Sequence, residues 1–150
     1  MRRDTLLVAT VAGTGLFGAV MVLAPELTRQ GYGLLMYGDA ARMDGFGAEA
    51  LGYVTLLHGV LGAVMLGWAV ALMMLLRGPW RVAGPVAWRI VATSVAVWYV
   101  VDSGHSAAVG AWPNVLLNSV FALLFAVALG VARGAEPAPD QASARSSASA

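Results

Sequence analysis

Residues 48–76 read AEALGYVTLLHGVLGAVMLGWAVALMMLL, and Glu49 is the only residue of this run that carries a full charge at neutral pH. An α-helix rises about 1.5 Å per residue, so roughly 20 apolar residues cross the ~30 Å hydrocarbon core of a bilayer. The run is longer than that, which predicts a membrane-spanning helix that is tilted or protrudes from the bilayer.

Three further apolar segments, at about residues 5–24, 82–101 and 112–132, are also long enough to span a membrane. The chain of 150 residues is 59% hydrophobic and only 11% charged, whereas about a quarter of the residues in soluble proteins are charged. Four such segments cannot all be shielded from water in so short a chain. The sequence therefore predicts an all-α membrane protein, with a four-helix transmembrane bundle over residues 1–132.

The arginines predict how the bundle is oriented. If the N-terminus is cytoplasmic, the inner side carries Arg2, Arg3, Arg77, Arg81, Arg89, Arg133 and Arg145. The outer side then carries only Arg29 and Arg42. Because cytoplasmic loops are enriched in cationic residues, this distribution predicts a multi-pass protein of the bacterial inner (plasma) membrane with both termini in the cytoplasm.

The connections follow from this topology. Residues 25–47 are predicted to form a long outer loop between the first two helices, with Tyr32 and Tyr37 at the level of the lipid headgroups. Residues 102–111 are predicted to form the second outer connection. Residues 133–150, rich in Ala, Ser and Pro, predict a disordered cytoplasmic tail.

Composition excludes several kinds of chemistry. The chain has no cysteine, which excludes disulfide exchange, iron–sulfur ligation and thiolate zinc sites. It contains no nucleophile elbow, phosphate-binding loop or zinc-protease motif. No basic cluster indicates nucleic-acid binding. With only two histidines at different expected depths, we predict neither a haem nor a metal ion, and no cofactor.

Polar side chains gather toward the predicted outer end of the bundle. They are Glu49, Tyr53, His58, Asp102, His105, Asn114 and Asn118. Polar groups within a bilayer are costly and often mark functional sites, so we interpret these residues as a candidate ligand-binding cluster without assigning a catalytic residue. The alternative is structural: a neutral His58 bonded to a neighbouring helix, and asparagines that join helices.

Asp102 and His105 have the Asp-x-x-His spacing that helical bundles use for metal ions. Gly104 lies between them, and no second such motif exists. We therefore expect a capping or ion-pair role at a helix end rather than a metal site.

Small residues predict where helices approach closely. Thr14 pairs with Gly18 and Gly15 with Ala19 at four-residue spacing in the first segment. In the second segment a ridge of small residues comprises Gly59, Ala63, Gly67 and Ala71. Such spacing lets helix backbones pack tightly in lipid.

The sequence around the last two segments has some motif character. Trp98-Tyr99-Val100-Val101-Asp102-Ser103, Gly110-Ala111-Trp112-Pro113-Asn114 and Leu117-Asn118 resemble a pattern in small bacterial four-helix proteins of unknown function. The layout of residues 1–132 is similar to that of DoxX-like membrane proteins. That resemblance implies an inner-membrane four-helix bundle, sometimes tied to redox or thiol-stress functions, and it transfers no catalytic residue.

Three functions remain open from sequence. The first is a non-enzymatic bundle that binds a lipid-like ligand or serves as an accessory subunit of a membrane-protein partner. The second is a membrane enzyme or redox component that uses the polar cluster. The third is a small proton-coupled transporter, similar in size to the small multidrug exporters but without their acidic residue in the first helix. The bilayer is the expected environment, a hydrophobic small molecule is a candidate ligand, and the oligomeric state is left open.

Overall fold

The computed structural model describes residues 4–133, and this part of the chain is helical without any strand. Its helices are α1 (Thr5–Leu23), α2 (Pro25–Tyr37), α3 (Ala48–Arg77), α4 (Gly84–Ala108) and α5 (Trp112–Arg133). Short 3-10 turns occupy Arg42–Gly45 and Pro79–Arg81. The predicted tail after Arg133 lies outside the described residues.

Four of these helices, α1, α3, α4 and α5, are long and apolar enough to cross a membrane. Their outward faces carry large exposed apolar side chains such as Leu56, Val64, Val100 and Leu123. Apolar surface this extensive is rare on soluble monomers. The prediction of an all-helical protein with four segments long and apolar enough to span a membrane is therefore confirmed.

The first connection differs from the predicted loop, because residues 25–37 form helix α2. Pro25 occupies the first turn, where its fixed φ and missing N–H suit a helix start. Gly38 ends the helix with φ 70°, a left-handed conformation that glycine adopts without a steric penalty. One face buries Thr28 and Gly33 while Leu34 stays exposed, so packing stabilises a helix that the glycine content argued against.

Helix α4 also differs from the prediction, since it continues past Val101 to Ala108. Ser103 and Ser106 are buried on this added stretch, so it is not a connection. The connection begins with the turn at Gly110, whose φ is 77°. The added turns bring Asp102 onto a helix that packs against α5, which decides the composition of the site.

The helices associate as two closely packed pairs, α1 with α3 and α4 with α5, and α1 also contacts α5. Gly18 and Gly62 form the closest point of the first pair, since a Cβ on Gly62 would lie 2.5 Å from the Gly18 carbonyl oxygen. Gly59 and Gly67 face open space, so the predicted ridge does not mediate this contact. No comparable packing joins α3 to α4 in the described chain.

The two ends of the bundle are built differently. The buried apolar core, which includes Leu7, Val11, Val91 and Leu129, lies toward the end where α1 begins. Here the Trp88 indole donates a hydrogen bond to the Leu129 carbonyl oxygen at 3.1 Å. At the opposite end, which we call the α2 end, α2 contacts α1, α3 and α5, and the space between α3 and α4 is not filled by side chains.

Candidate functional site

A cavity of about 1060 Å³ lies between α3 and α4, and all five helices contribute to its walls. Typical small-molecule sites enclose about 300–1,000 Å³, so this cavity is large for a chain of 150 residues. Leu61 and Val64 of α3 and Val97 of α4 line it and are also exposed on the outer surface. The cavity therefore opens sideways between the two helices.

Aromatic rings form the deeper part of the cavity. The Trp68 ring centroid lies 6.2 Å from that of Trp98 and 5.8 Å from that of Phe125. The Trp68 indole nitrogen donates a hydrogen bond to the Ser94 hydroxyl oxygen at 2.9 Å, which links α3 to α4 across the cavity. Because the indole N–H is satisfied, this region offers a ligand an apolar aromatic surface.

Polar side chains of α4 and α5 form a hydrogen-bonded network at the α2 end. The Asn114 amide donates to the Ser106 hydroxyl oxygen at 2.8 Å and to Asp102 Oδ1 at 3.2 Å. The Ser106 hydroxyl donates to the same carboxylate oxygen at 3.3 Å. One turn further along α5, the Asn118 amide donates to Ser103 at 3.4 Å. This network fixes where the Asp102 carboxylate points.

Asp102 has no cationic partner among residues 4–80 and 82–133. The one ion pair in this part of the chain joins Arg29 to Asp44 at 3.1 Å. Within the same residues, both hydrogen bonds to Asp102 end on Oδ1, and none reaches Oδ2. A partly buried carboxylate thus lines the cavity with one oxygen left without a hydrogen-bond donor.

His58 and Tyr32 form a second polar region on the α3 side. Their rings stack with centroids 5.0 Å apart and planes 28° apart. The His58 Nδ1 atom is buried and has no hydrogen-bond partner in the described part of the chain. A buried polar atom without a partner costs about 1–3 kcal/mol, so a ligand that forms a hydrogen bond with Nδ1 would remove this cost.

Tyr32 lies on α2, outside the spanning segments, and its surroundings change the pKa of its phenol. Burial raises the pKa of its phenol above the ordinary value, and the negative charge of Asp102 raises that pKa further. Tyr32 thus adds a neutral phenol to the cavity wall that His58 and Asp102 also line.

The structure brings together four of the seven predicted site residues: His58, Asp102, Asn114 and Asn118 all line the cavity. Glu49 is exposed, Tyr53 is 62% exposed, and neither lines it. His105 is exposed and forms no ion pair with Asp102, although both lie on α4. The expected capping role at a helix end is not observed, because α4 continues through both residues to Ala108.

No group of three or more metal-binding side chains occurs among residues 4–133. Sequence reasoning missed three polar residues of the site, namely Tyr32 in the cavity wall and Ser103 and Ser106 in the hydrogen-bonded network. The two serines follow Asp102 at one and four positions, a pattern that indicates a polar helix face only once α4 is known to continue. Tyr32 could be found only by recognising α2 as a helix.

Comparisons with known proteins found no matching family model, no matching curated protein and no matching solved structure.

Proposed function

We propose that this protein is a non-enzymatic membrane bundle that binds an amphipathic, lipid-like molecule in the cavity between α3 and α4. The observation that carries the proposal is the buried, unpartnered His58 Nδ1 in the wall of a large and mostly apolar cavity. A ligand with a polar end would satisfy that atom, and its hydrocarbon would cover the aromatic walls.

The arrangement of polar and apolar groups indicates how such a ligand is oriented. Its polar end lies at the α2 end, beside Asp102, Asn114 and His58, and its apolar part extends toward Trp68 and Phe125. With both termini in the cytoplasm of a bacterial cell, as the arginines predict, the α2 end faces the outer leaflet of the inner membrane. The polar end of the ligand would then lie near the lipid headgroups of that leaflet.

Binding is favoured over acid–base catalysis by the spacing of the titratable groups. General acid–base catalysis requires a donor and an acceptor within hydrogen-bond reach of the reacting group, commonly organised by a second side chain. Tyr32, His58 and Asp102 are the titratable residues in the cavity wall. No hydrogen bond joins any two of them in the described structure, so they do not form a relay.

Native mass spectrometry of the protein extracted in mild detergent tests this proposal. The wild type is expected to retain a bound molecule of lipid-like mass. Leu61→Trp, which places an indole into the cavity, should reduce the occupancy severalfold. Leu56→Trp is the matched control, because Leu56 lies on the same helix, is 61% exposed and does not line the cavity.

Equal occupancy in the wild type and both variants would show that retained lipid lies elsewhere on the surface. A wild type that carries no added mass and also gains none from a lipid extract would contradict the proposal directly.

A further inference from the structure

We infer that the cavity is built for a hydrophobic monoamine, with its ammonium group against Asp102 and its hydrocarbon among the aromatic rings. This inference rests on the proposed binding function and adds the chemical class of the ligand. It starts from Asp102, the acidic residue of the cavity wall.

The charge of Asp102 is not compensated by the described protein. Among residues 4–80 and 82–133, the Arg29–Asp44 pair is the one ion pair, and no arginine lines the cavity. A carboxylate removed from water is costly unless it is paired with a cation. Acidic residues inside membrane bundles commonly face a ligand or ion path for this reason.

The hydrogen bonds of the Asp102 carboxylate also favour a ligand that carries a cationic donor group. An ionised carboxylate offers about four acceptor positions. Asn114 and Ser106 use two of these on Oδ1, and no described residue donates to Oδ2. A ligand with N–H or O–H donors would complete this shell. A ligand with a carboxylate or phosphate end would bring a second negative charge beside Asp102, and this repulsion disfavours anions.

The aromatic side chains distinguish an amine from an alcohol. Trp98 precedes Asp102 by four residues on α4, so the two side chains share one face of the helix. Tyr32 lies close enough to Asp102 to respond to its charge. Cations are attracted to the faces of Trp and Tyr rings, and the attraction grows where water is excluded. An ammonium group gains from the rings and the carboxylate together, whereas a hydroxyl group gains only a hydrogen bond.

The residues of the cavity wall also indicate how many ammonium groups the ligand carries. The other acidic residues of the described chain, such as Glu49 and Asp44, do not line the cavity. The remaining lining is mostly apolar and includes Phe121 and Phe125. A second ammonium group would have no partner, so a single amine on one hydrocarbon chain fits better than a diamine or polyamine.

The test compares dodecylamine with dodecanol, which have the same hydrocarbon chain, by the binding of the radiolabelled compounds to nanodiscs of zwitterionic lipid that contain the protein. We expect the wild type to bind the amine at least about tenfold more tightly, as charge-assisted hydrogen bonds are roughly twice as strong as neutral ones. Asp102→Asn should remove this preference. Glu49→Gln, a change in an exposed acid outside the cavity, should leave it unchanged. In Leu61→Trp an indole fills the cavity, so the signal of this variant shows how much of each compound partitions into the lipid alone.

The outcomes separate the two proposals. Equal affinity of the wild type for both compounds, with both lost in Leu61→Trp, overturns the amine inference and leaves the cavity as a binding site. Signals that are the same in the wild type and Leu61→Trp overturn both. The wild-type comparison decides the ligand class even if Asp102→Asn does not fold, because it requires no variant of that residue.

Discussion

Asn114 is the residue that holds the polar network together, because its amide donates to side chains on the neighbouring helix. The Asn114 amide nitrogen donates one hydrogen bond to the Ser106 hydroxyl oxygen and another to the Asp102 carboxylate. Hydrogen bonds of this kind between membrane helices contribute about 0.6–2 kcal/mol. The sequence offered packing and ligand binding as alternatives for Asn114, and the structure gives this residue a helix-joining contact within a cavity wall.

Tyr32 allows the electrostatic effect of Asp102 to be tested. Its phenol pKa is raised by burial and by Asp102. The folded protein therefore holds the phenolic proton more tightly than the unfolded chain. The contribution of Tyr32 to stability is complete below the ordinary tyrosine pKa of about 10 and decreases as the pH rises through the folded-state value. Asp102→Asn should lower the pKa of Tyr32 without restoring its ordinary value, because the burial remains.

The measurement is the ultraviolet difference absorbance of phenolate, with Tyr32→Phe subtracted to isolate this residue from the other tyrosines. Glu49→Gln serves as the control for loss of an exposed negative charge. A Tyr32 signal that titrates together with the other tyrosines would show that the phenol is not shielded as the structure indicates.

At the scale of elements, the association of α1 with α3 depends on two glycines. A Cβ on Gly62 would lie 2.5 Å from the Gly18 carbonyl oxygen and 2.7 Å from the Met21 Cβ, both too close to tolerate. We expect Gly62→Ala to destabilise the protein by about 1–3 kcal/mol, the usual cost of overpacking. Gly67→Ala on the same helix should have little effect, because nothing lies within 4 Å of its added Cβ.

Thermal unfolding of both variants in one detergent gives the comparison. A melting temperature for Gly62→Ala equal to that of Gly67→Ala would contradict the α1–α3 contact. A larger loss in Gly67→Ala would instead show that the outward ridge of small residues is itself an interface.

Hydropathy predicted four elements well because a spanning segment is defined by length and apolar content alone. It failed for α2 and for the last two turns of α4, where small and polar residues pack against neighbouring helices. Ser103 and Ser106 are buried there, and local composition does not reveal that. Element boundaries in such regions depend on tertiary contacts that a single sequence does not display.

The same limit explains the partial prediction of the site. Position in the sequence predicts toward which end of the bundle a residue lies, but it does not predict which residues face a cavity. The direction around the helix axis is set by packing. The extent of the cavity along each helix is also set by packing, because Tyr53 lies one turn before Leu57 on the same face of α3, yet of these two residues only Leu57 lines the cavity. His58 lines it and Tyr53 does not.

The two ends of the bundle can be assigned to the two sides of the membrane by experiment. The natural chain has no cysteine, so one introduced thiol reports one position. Ala40, after α2, and Val82, between α3 and α4, are both exposed and lie at opposite ends. In intact spheroplasts, a membrane-impermeant maleimide should label Ala40→Cys and should label Val82→Cys only after permeabilisation.

The reverse labelling pattern would place the α2 end in the cytoplasm and overturn the orientation that the arginines predict. Labelling of both positions in intact spheroplasts would argue against a membrane crossing by α3, which lies between them. The cysteine-free wild type supplies the background for both variants.

The sideways opening between α3 and α4 has a consequence for how occupancy is controlled. A molecule that reaches the cavity through this opening comes from the surrounding lipid and need not pass through water. The fraction of cavities that are occupied is then governed by the mole fraction of this molecule in the leaflet rather than by its aqueous concentration. A compound of very low solubility can fill the cavity at a modest intrinsic affinity, so the composition of the membrane itself sets the bound fraction.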